Sequence, residues 1–580
     1  MDSGLRRNDV SEGAGLRAAA EAWLAADPDP ETRAELESLL ASAGTDARAG
    51  EDLRRRFEER LQFGTAGLRA PLGAGPPRMN RVVVRQATAA VMATLPAGAR
   101  LVIGHDARRN SDVFATDAAA VVAAGGGEAL LVGQVSTPVA AHAVVDRAAD
   151  AGVVITASHN PPADNGYKLY DAGGVQIVPP TDAQVEAQMA AAGLPPRDLP
   201  PPAGGGSVRS IGPQAIDRYL EELAVRLRWQ RPVGDSSAAA PLKVVYTPLH
   251  GVGAGVLGEL FERLGMPAPA VVASQAAPDG DFPTVTLPNP EEPGVLDEAF
   301  ALATRRGADL VLANDPDADR LAVAVPTAGG WRRLTGDELG ALLADCLLRR
   351  RAAAGATEPV AVARTVVSSR LLRAIAAEAG VACVETLTGF KWIARAADGR
   401  PERLLFGYEE ALGYAVSDAV RDKDGISAAA LAVQLATELH AAGSSLLDRL
   451  ADLHRRHGVH ATGQVTLRFP PAEAAAGPAA ATGRLRANPP AGIAGSPVTA
   501  VTDYSEVGGP LPPTDMLAFG LGGADRVIVR PSGTEPKLKV YIETVEEVTG
   551  GDLVDARRRA HDRLEVIADA MRATVVGDDP

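Results

Sequence analysis

The chain holds only two cysteines, Cys346 and Cys383, in 580 residues. That is too few for a disulfide framework, and they lack metal-finger spacing. No uninterrupted apolar run reaches the roughly 20 residues that span a bilayer, and the stretch Met1-Asp2-Ser3-Gly4-Leu5-Arg6-Arg7 is no apolar signal region. A cytoplasmic protein without membrane partners is the expectation. Nor is there a surplus of positive charge: the net charge of −15 argues against nucleic acid as the main partner, although local Lys and Arg clusters can still take small anions. The elbow G-x-S-x-G is missing around Ser158, which argues against acyl transfer.

What is present is a long chain of recurring α/β pattern. Its length calls for three or four domains. The first 59 residues look helical, with Asp29-Pro30-Glu31 offering an N-cap, a proline at the first helical position and an acidic first turn. From there apolar runs such as Val153-Val154-Ile155 alternate with Ala-rich helical stretches, as βα units on a mostly parallel sheet do. A Pro/Gly-rich linker at 199–206 closes this part. The pattern returns in 208–328 and 329–455, whereas 456–580 contains two strands around a polar loop. The reading is a helical extension, 1–59, three related mixed α/β domains, 60–207, 208–328 and 329–455, and a C-terminal α+β domain, 456–580.

Four strand-end loops carry the chemistry. Thr156-Ala157-Ser158-His159-Asn160-Pro161 presents a hydroxyl after an apolar strand, with simple helix capping as the alternative. Asp315, Asp317 and Asp319 alternate after another strand, so one short loop can aim three carboxylates at a hard cation. An EF-hand needs Gly and Glu where this chain has Arg320 and Pro326, and a dehalogenase-type phosphatase does not place Asp at the fifth position as here. Mg²⁺ is preferred to a solvated acidic turn, since such carboxylates repel one another unless a cation joins them. Arg530-Pro531-Ser532-Gly533-Thr534-Glu535-Pro536-Lys537 has the glycine, hydroxyls and cations of a phosphate nest, or of an ordinary hairpin turn. Gly407-Tyr408-Glu409-Glu410 places two carboxylates where vicinal sugar hydroxyls could bind, or where water could. The combination suggests phosphoryl transfer through a phosphoserine.

In this order, T-A-S-H-N-P-P-x-x-N-G-Y-K, D-P-D-A-D-R, G-Y-E-E-A-L-G and R-P-S-G-T-E-P-K resemble the motifs of the α-D-phosphohexomutase superfamily. Phe63-Gly64-Thr65-Ala66-Gly67-Leu68-Arg69, Thr388-Gly389-Phe390-Lys391 and Arg421-Asp422-Lys423-Asp424-Gly425 extend the likeness. The long loop running to Arg78-Met79-Asn80 and the helix around Trp23-Leu24 are most similar to the phosphoglucomutase and phosphopentomutase branch of the phosphoglucomutase/phosphomannomutase family. The resemblance implies three α/β domains and a TATA-binding-protein-like C-terminal domain around a central cleft. It implies that Ser158 carries the phosphoryl group and that Ser158, Asp315, Asp317 and Asp319 hold Mg²⁺. His159, Lys168 and Arg69 would assist catalysis, with Arg69 crowding Lys168. Substrate contacts would come from Thr65, Arg320, Thr388, Gly389, Lys391, Glu409, Lys423, Arg530, Ser532, Gly533, Thr534 and Lys537. The implied reaction interconverts glucose 1-phosphate and glucose 6-phosphate through glucose 1,6-bisphosphate, which also serves as activator. Ala411 stands where the family often has Ser, so a pentose or mannose phosphate is an alternative substrate, and a non-catalytic sugar-phosphate-binding protein is a third reading.

Overall fold

The computed structural model describes residues 3–64, 67–202, 204–228, 241–469, 477–509, 511–531 and 537–576. The chain divides into two compact units. One holds the described part of Met1–Trp229 with Leu242–Arg332 and Ala419–Ala430; the other holds Arg333–Asp418 and the described part of Leu431–Pro580.

The first unit begins with helices Ser3–Ala26, Pro30–Ser42 and Ala47–Glu58. Asp29 caps the second by accepting from Glu31 N, with Pro30 opening the helix as its fixed φ favours. Trp23, Leu36, Leu40 and Leu53 pack with Ala74, Val82 and Val83, so the extension shares a core with the segment that follows it. Glu35 accepts a hydrogen bond from Ala74 N and pairs with Arg56 at 2.6 Å, which braces the loop between strand Leu68–Pro71 and helix Arg81–Thr94.

Beyond it stands a six-stranded sheet in the order Leu68–Pro71, Asp164–Asp171, Ala151–Ile155, Arg100–His105, Glu128–Gln134, Ser207–Ser210. Its last four strands are parallel, and Asp164–Asp171 turns back antiparallel to both of its neighbours. Strand Ala151–Ile155 is buried along its whole length, as a parallel strand covered on both faces must be. The second sheet runs Gly330–Arg333, Leu321–Thr327, Leu310–Asn314, Val244–Thr247, Ala270–Val271, and its strand Leu310–Asn314 is equally buried.

In the second unit a four-stranded sheet, Ala382–Thr386, Val360–Thr365, Arg403–Glu409, Gly413–Ala415, is parallel except for its last strand. The C-terminal sheet is antiparallel throughout, from Val459–Arg468 through Lys537–Glu546, Arg526–Pro531, Leu517–Leu521 and Ser496–Asp503 to Gly492–Ile493, and helix Leu553–Val576 supplies Ala556, Ala560 and Ile567 to its core. Three mixed α/β sheets and one α+β domain agree with the expected fold class. Between two strands of that domain the chain also forms helix Gly477–Ala487 and strand Ser496–Asp503, which the expectation of two strands around a loop did not include. Arg486 ties the two together through Asp503, a tertiary contact that weak local propensity did not announce.

No helix among the described residues is long and apolar enough to cross a membrane. Ile155 is fully buried at the point where the sheet hands over to the serine loop. Ile155→Ala is expected to cost about 2–5 kcal/mol through the cavity it leaves. Urea unfolding checks this, and a loss below about 1 kcal/mol would show that the strand end is not part of a rigid core.

Candidate active site

Loops at the carboxyl ends of strands in open α/β sheets are free to carry ligands. Strand Ala151–Ile155 delivers Ser158 in the left-handed region, φ 51°, with 1% of its surface exposed. The Ser158 hydroxyl donates to Asp315 Oδ2 at 2.6 Å, and His159 Nδ1 lies 3.1 Å from the same Oγ. Burial first, and then Arg320 and Arg69, hold the His159 imidazole well below its ordinary pKa, so it is neutral near pH 7.

Strand Leu310–Asn314 delivers the acidic loop. Asp315, Asp317 and Asp319 are fully buried, and one oxygen of each lies within 4.8 Å of the others. Several elements shape this loop from outside. Asn314 accepts from Tyr246 Oη at 2.9 Å and donates to Arg320 O at 2.5 Å, while Val252 N donates to Pro316 O. Gly251 must be glycine here, because a Cβ would sit 2.4 Å from the Pro316 backbone. Thr137, at the start of helix Thr137–Asp146, donates its backbone N–H to Asp317 O and its hydroxyl to Asp317 Oδ2 at 2.6 Å.

Two lysines answer the three carboxylates. Lys168, fully buried, places Nζ 2.5 Å from Asp317 Oδ2 and 2.7 Å from Asp319 Oδ2. Lys423 stands 3.0 Å from Asp319 Oδ2. Its loop is pinned on both sides: Tyr170 Oη and Gln176 Nε2 donate to Asp422, and Tyr219 Oη donates to Asp424. Burial alone would raise the pKa of Asp319, but Lys168, Lys423 and Arg320 hold it well below the usual carboxylate range. Asp317 is lowered likewise, Lys168 and Thr137 outweighing burial and Asp319. Asp315 faces burial and the two neighbouring carboxylates, and is pushed well above that range. The lysines grip the Oδ2 atoms, whereas among the described residues Oδ1 of Asp317 and Oδ1 of Asp319 are buried without a hydrogen-bond partner, Arg320 Nε standing 4.0 Å from the latter. Buried carboxylate oxygens left open in this way are costly unless something else meets them. Convergent hard oxygens beside a hydroxyl fit Mg²⁺.

Of the residues expected at the site, Ser158, His159, Arg69, Lys168, Arg320, Lys423 and the three aspartates all belong to the first unit. Lys168 bonds directly to the two carboxylates and, at 3.5 Å, to the Thr137 hydroxyl, while Arg69, paired across the sheet with Gly166, donates to Asn160 Oδ1 at 3.1 Å. The second unit carries Thr388, Gly389, Lys391, Glu409, Arg530 and Lys537. Thr388, Gly389 and Lys391 lie around the start of the short helix Phe390–Ile393, Glu409 ends strand Arg403–Glu409, and Arg530 and Lys537 stand at the facing ends of two antiparallel strands. Thr65, Ser532, Gly533 and Thr534 lie outside the described residues.

The two adjacent glutamates differ. Glu410 accepts from the hydroxyls of Thr365 at 3.1 Å and Ser368 at 3.0 Å. Burial of its carboxyl, followed by Glu409 and Asp337, pushes its pKa up to about 7. Thr137, Tyr170 and Tyr219 are contributors that the motif reading missed. Thr137-Pro138 directly after an apolar strand is the one local signal among them, and the tyrosines read as ordinary core.

Four models of one family match in order: phosphoglucomutase/phosphomannomutase alpha/beta/alpha domains I, II and III at residues 60–194, 217–330 and 335–455, and the C-terminal domain at 490–560. A Haemophilus influenzae protein named "Probable phosphomannomutase" is 41% identical over 492 residues, 83% of this chain and 95% of that protein. A Schizosaccharomyces pombe protein named "Probable phosphoribomutase" is 35% identical over 561 residues, 91% of this chain and 93% of that one. Among solved structures, a phosphoglucomutase/phosphomannomutase family protein from Burkholderia thailandensis shares the fold with a TM-score of 0.64 at 20% identity, covering 87% of this chain and 97% of its own.

Asp317→Asn and Asp319→Asn are each expected to weaken divalent-cation binding about ten- to a hundredfold. Titration of free Mn²⁺ by EPR checks this without any turnover, and unchanged affinity would put the cation elsewhere. For Glu410, the folded state holds the proton more tightly than the unfolded chain does. Its stabilisation is complete below the usual carboxyl range and is lost as pH rises through about 7. Glu410→Gln is expected to flatten that fall in the urea midpoint; an unaltered pH profile would refute it.

Proposed function

Because the chain belongs to the phosphoglucomutase/phosphomannomutase family, with all four of its domains, we propose that this phosphosugar mutase works through a phosphoryl group carried on Ser158. One observation supports this above the rest: the Ser158 hydroxyl is buried and bonded at 2.6 Å to a cluster of three carboxylates that two lysines reach.

The sugar's free hydroxyl attacks phosphorus, the P–O bond to Ser158 breaks, and a sugar bisphosphate forms. After the bisphosphate turns over in its site, Ser158 takes the other phosphoryl group back. Asp315, Asp317 and Asp319 would hold Mg²⁺, which when bound offsets the negative charge of the group in transfer. The proton leaving the sugar hydroxyl passes to His159, the neutral group beside Ser158, while Lys168 stays bonded to Asp317 and Asp319. Arg69 and Arg320 supply further positive charge for the transferring oxygens. In the second unit, Glu409 takes sugar hydroxyls with Thr388, Gly389 and Lys391. Arg530, Ser532, Gly533, Thr534 and Lys537 grip the phosphate that is not reacting, which orients the sugar through binding energy remote from the chemistry.

Glucose 1-phosphate is the first reading of the substrate, with glucose 1,6-bisphosphate as intermediate and activator. A pentose 1-phosphate is the second, favoured by the name of the S. pombe relative and by Ala411, which offers no hydroxyl beside Glu409.

Ser158→Ala is expected to lower kcat by several orders of magnitude with the fold intact. Near wild-type turnover of that variant under priming by the bisphosphate would defeat the phosphoserine route. Specificity constants for glucose, ribose and mannose 1-phosphates, measured side by side, decide the sugar.

A further inference from the structure

Ser158 pays a conformational cost to be where it is. Its φ of 51° lies in the left-handed region, where a residue bearing a Cβ is strained by contact with the following carbonyl. Such a conformation persists only where its surroundings over-determine it. The surroundings here are specific, and none of them touches the reacting atom.

Arg108 follows strand Arg100–His105, the direct parallel neighbour of the serine strand. Its guanidinium reaches across and donates to four backbone carbonyls of one loop: Nη2 to Ser158 O and Asn160 O, each at 2.6 Å, and Nη1 to Pro161 O at 2.7 Å and Asp164 O at 3.0 Å. Both faces of this grip are secured. The guanidinium carbon lies 4.9 Å from the centre of the Phe282 ring, and that segment approaches so closely at Gly280 that a Cβ there would stand 2.6 Å from Ala107 O. Asp106, also fully buried, accepts from Arg108 N and from the Ser111 hydroxyl through Oδ1. Through Oδ2 it accepts from the Thr156 hydroxyl at 2.6 Å. The Thr156 oxygen in turn accepts from Ser158 N at 2.8 Å. The strained residue is thus held by its N–H through Thr156 and Asp106, and by its carbonyl through Arg108.

We propose that Asp106, Thr156 and Arg108 form a cradle of positioning residues that keeps Ser158 in the left-handed conformation and so aims its Oγ at the acidic cluster. This rests on the phosphoserine reading above. The cradle binds only backbone on the serine side, so its loss misplaces the phosphoryl carrier without removing any contact to sugar. Misplacement of reacting atoms by about 1 Å can cost on the order of a hundredfold in rate. The signature of the proposal is therefore a fall in kcat with KM little changed.

Thr156→Val removes the hydroxyl and keeps the shape, whereas Thr156→Ser keeps the hydroxyl. Thr156→Val is expected to lose about tenfold or more in kcat with KM within about twofold, and Thr156→Ser to restore most of it. Hydrogen exchange at the Ser158 amide reports the same split: faster in Thr156→Val and near wild type in Thr156→Ser. Arg108→Lys keeps charge but not the planar fork, and is expected to reproduce the kcat loss even if Thr156→Val folds poorly. Wild-type kcat in Thr156→Val or Arg108→Lys, or equal losses in Thr156→Val and Thr156→Ser, would overturn the cradle. Mass spectrometry of the wild type after exposure to glucose 1,6-bisphosphate and to ribose 1,5-bisphosphate separates the two ideas. Absence of a phosphorylated Ser158 with both sinks the phosphoserine reading, whereas a phosphorylated wild type beside an indifferent Thr156→Val sinks only the cradle.

Discussion

Three carboxylates confined to one buried loop are the constraint on which the first unit is organised. Asp315, Asp317 and Asp319 would repel one another if left alone in a low-dielectric interior, and each buried charge requires a partner. The chain meets this with cations drawn from distant places. Lys168 comes from the antiparallel strand of the first sheet and Lys423 from a segment that returns to this unit after most of the third α/β sheet has been built. Neither lysine could be replaced by a nearby surface charge, because the loop is sealed from solvent.

The compensation is uneven, and the unevenness has chemical content. Lys168 and Lys423 attach to Oδ2 atoms and lower Asp317 and Asp319, while Asp315 faces two carboxylates with the Ser158 hydroxyl on Oδ2 and Arg320 N on Oδ1 as donors. The lysines meet the Oδ2 atoms of Asp317 and Asp319, while among the described residues the Oδ1 atoms of the same two groups have no hydrogen-bond partner. A site built to be satisfied by the protein alone would close both sides, as the core of the second unit does around Glu543. There Arg370, Arg526 and His460 surround a single carboxylate and leave it well below its ordinary pKa. The contrast separates a structural ion network from one arranged to take a ligand.

Much of this was legible along the chain. Apolar runs followed by polar loops announced the strand ends, and alternation within Asp315–Asp319 required no structure to suggest a cation, since residues two apart in a short loop can converge. The spacing of Ser158 after Val153-Val154-Ile155 likewise placed a hydroxyl at a buried strand terminus. Less could be seen of what supports these groups. Asp106 and Arg108 look like any polar residues after a strand, and Thr137, Tyr170 and Tyr219 carry no motif, because their roles rest on hydrogen bonds to segments 50 to 252 positions away in sequence.

The sequence by itself determined the local modules: which segments become strands, which loops carry carboxylates, hydroxyls or paired cations, and in what order they follow. These depend on periodicity and turn chemistry over a few residues. Tertiary structure alone decided that Ser158 bonds to Asp315 across 157 positions and that Lys168 pairs with Asp317 across 149. It also decided that, among the described residues, Oδ1 of Asp317 and Oδ1 of Asp319 have no hydrogen-bond partner. The reason is physical: local propensity acts between neighbours, whereas the partner of a buried charge is set by which strands the sheets bring side by side and by the cost of leaving that charge alone.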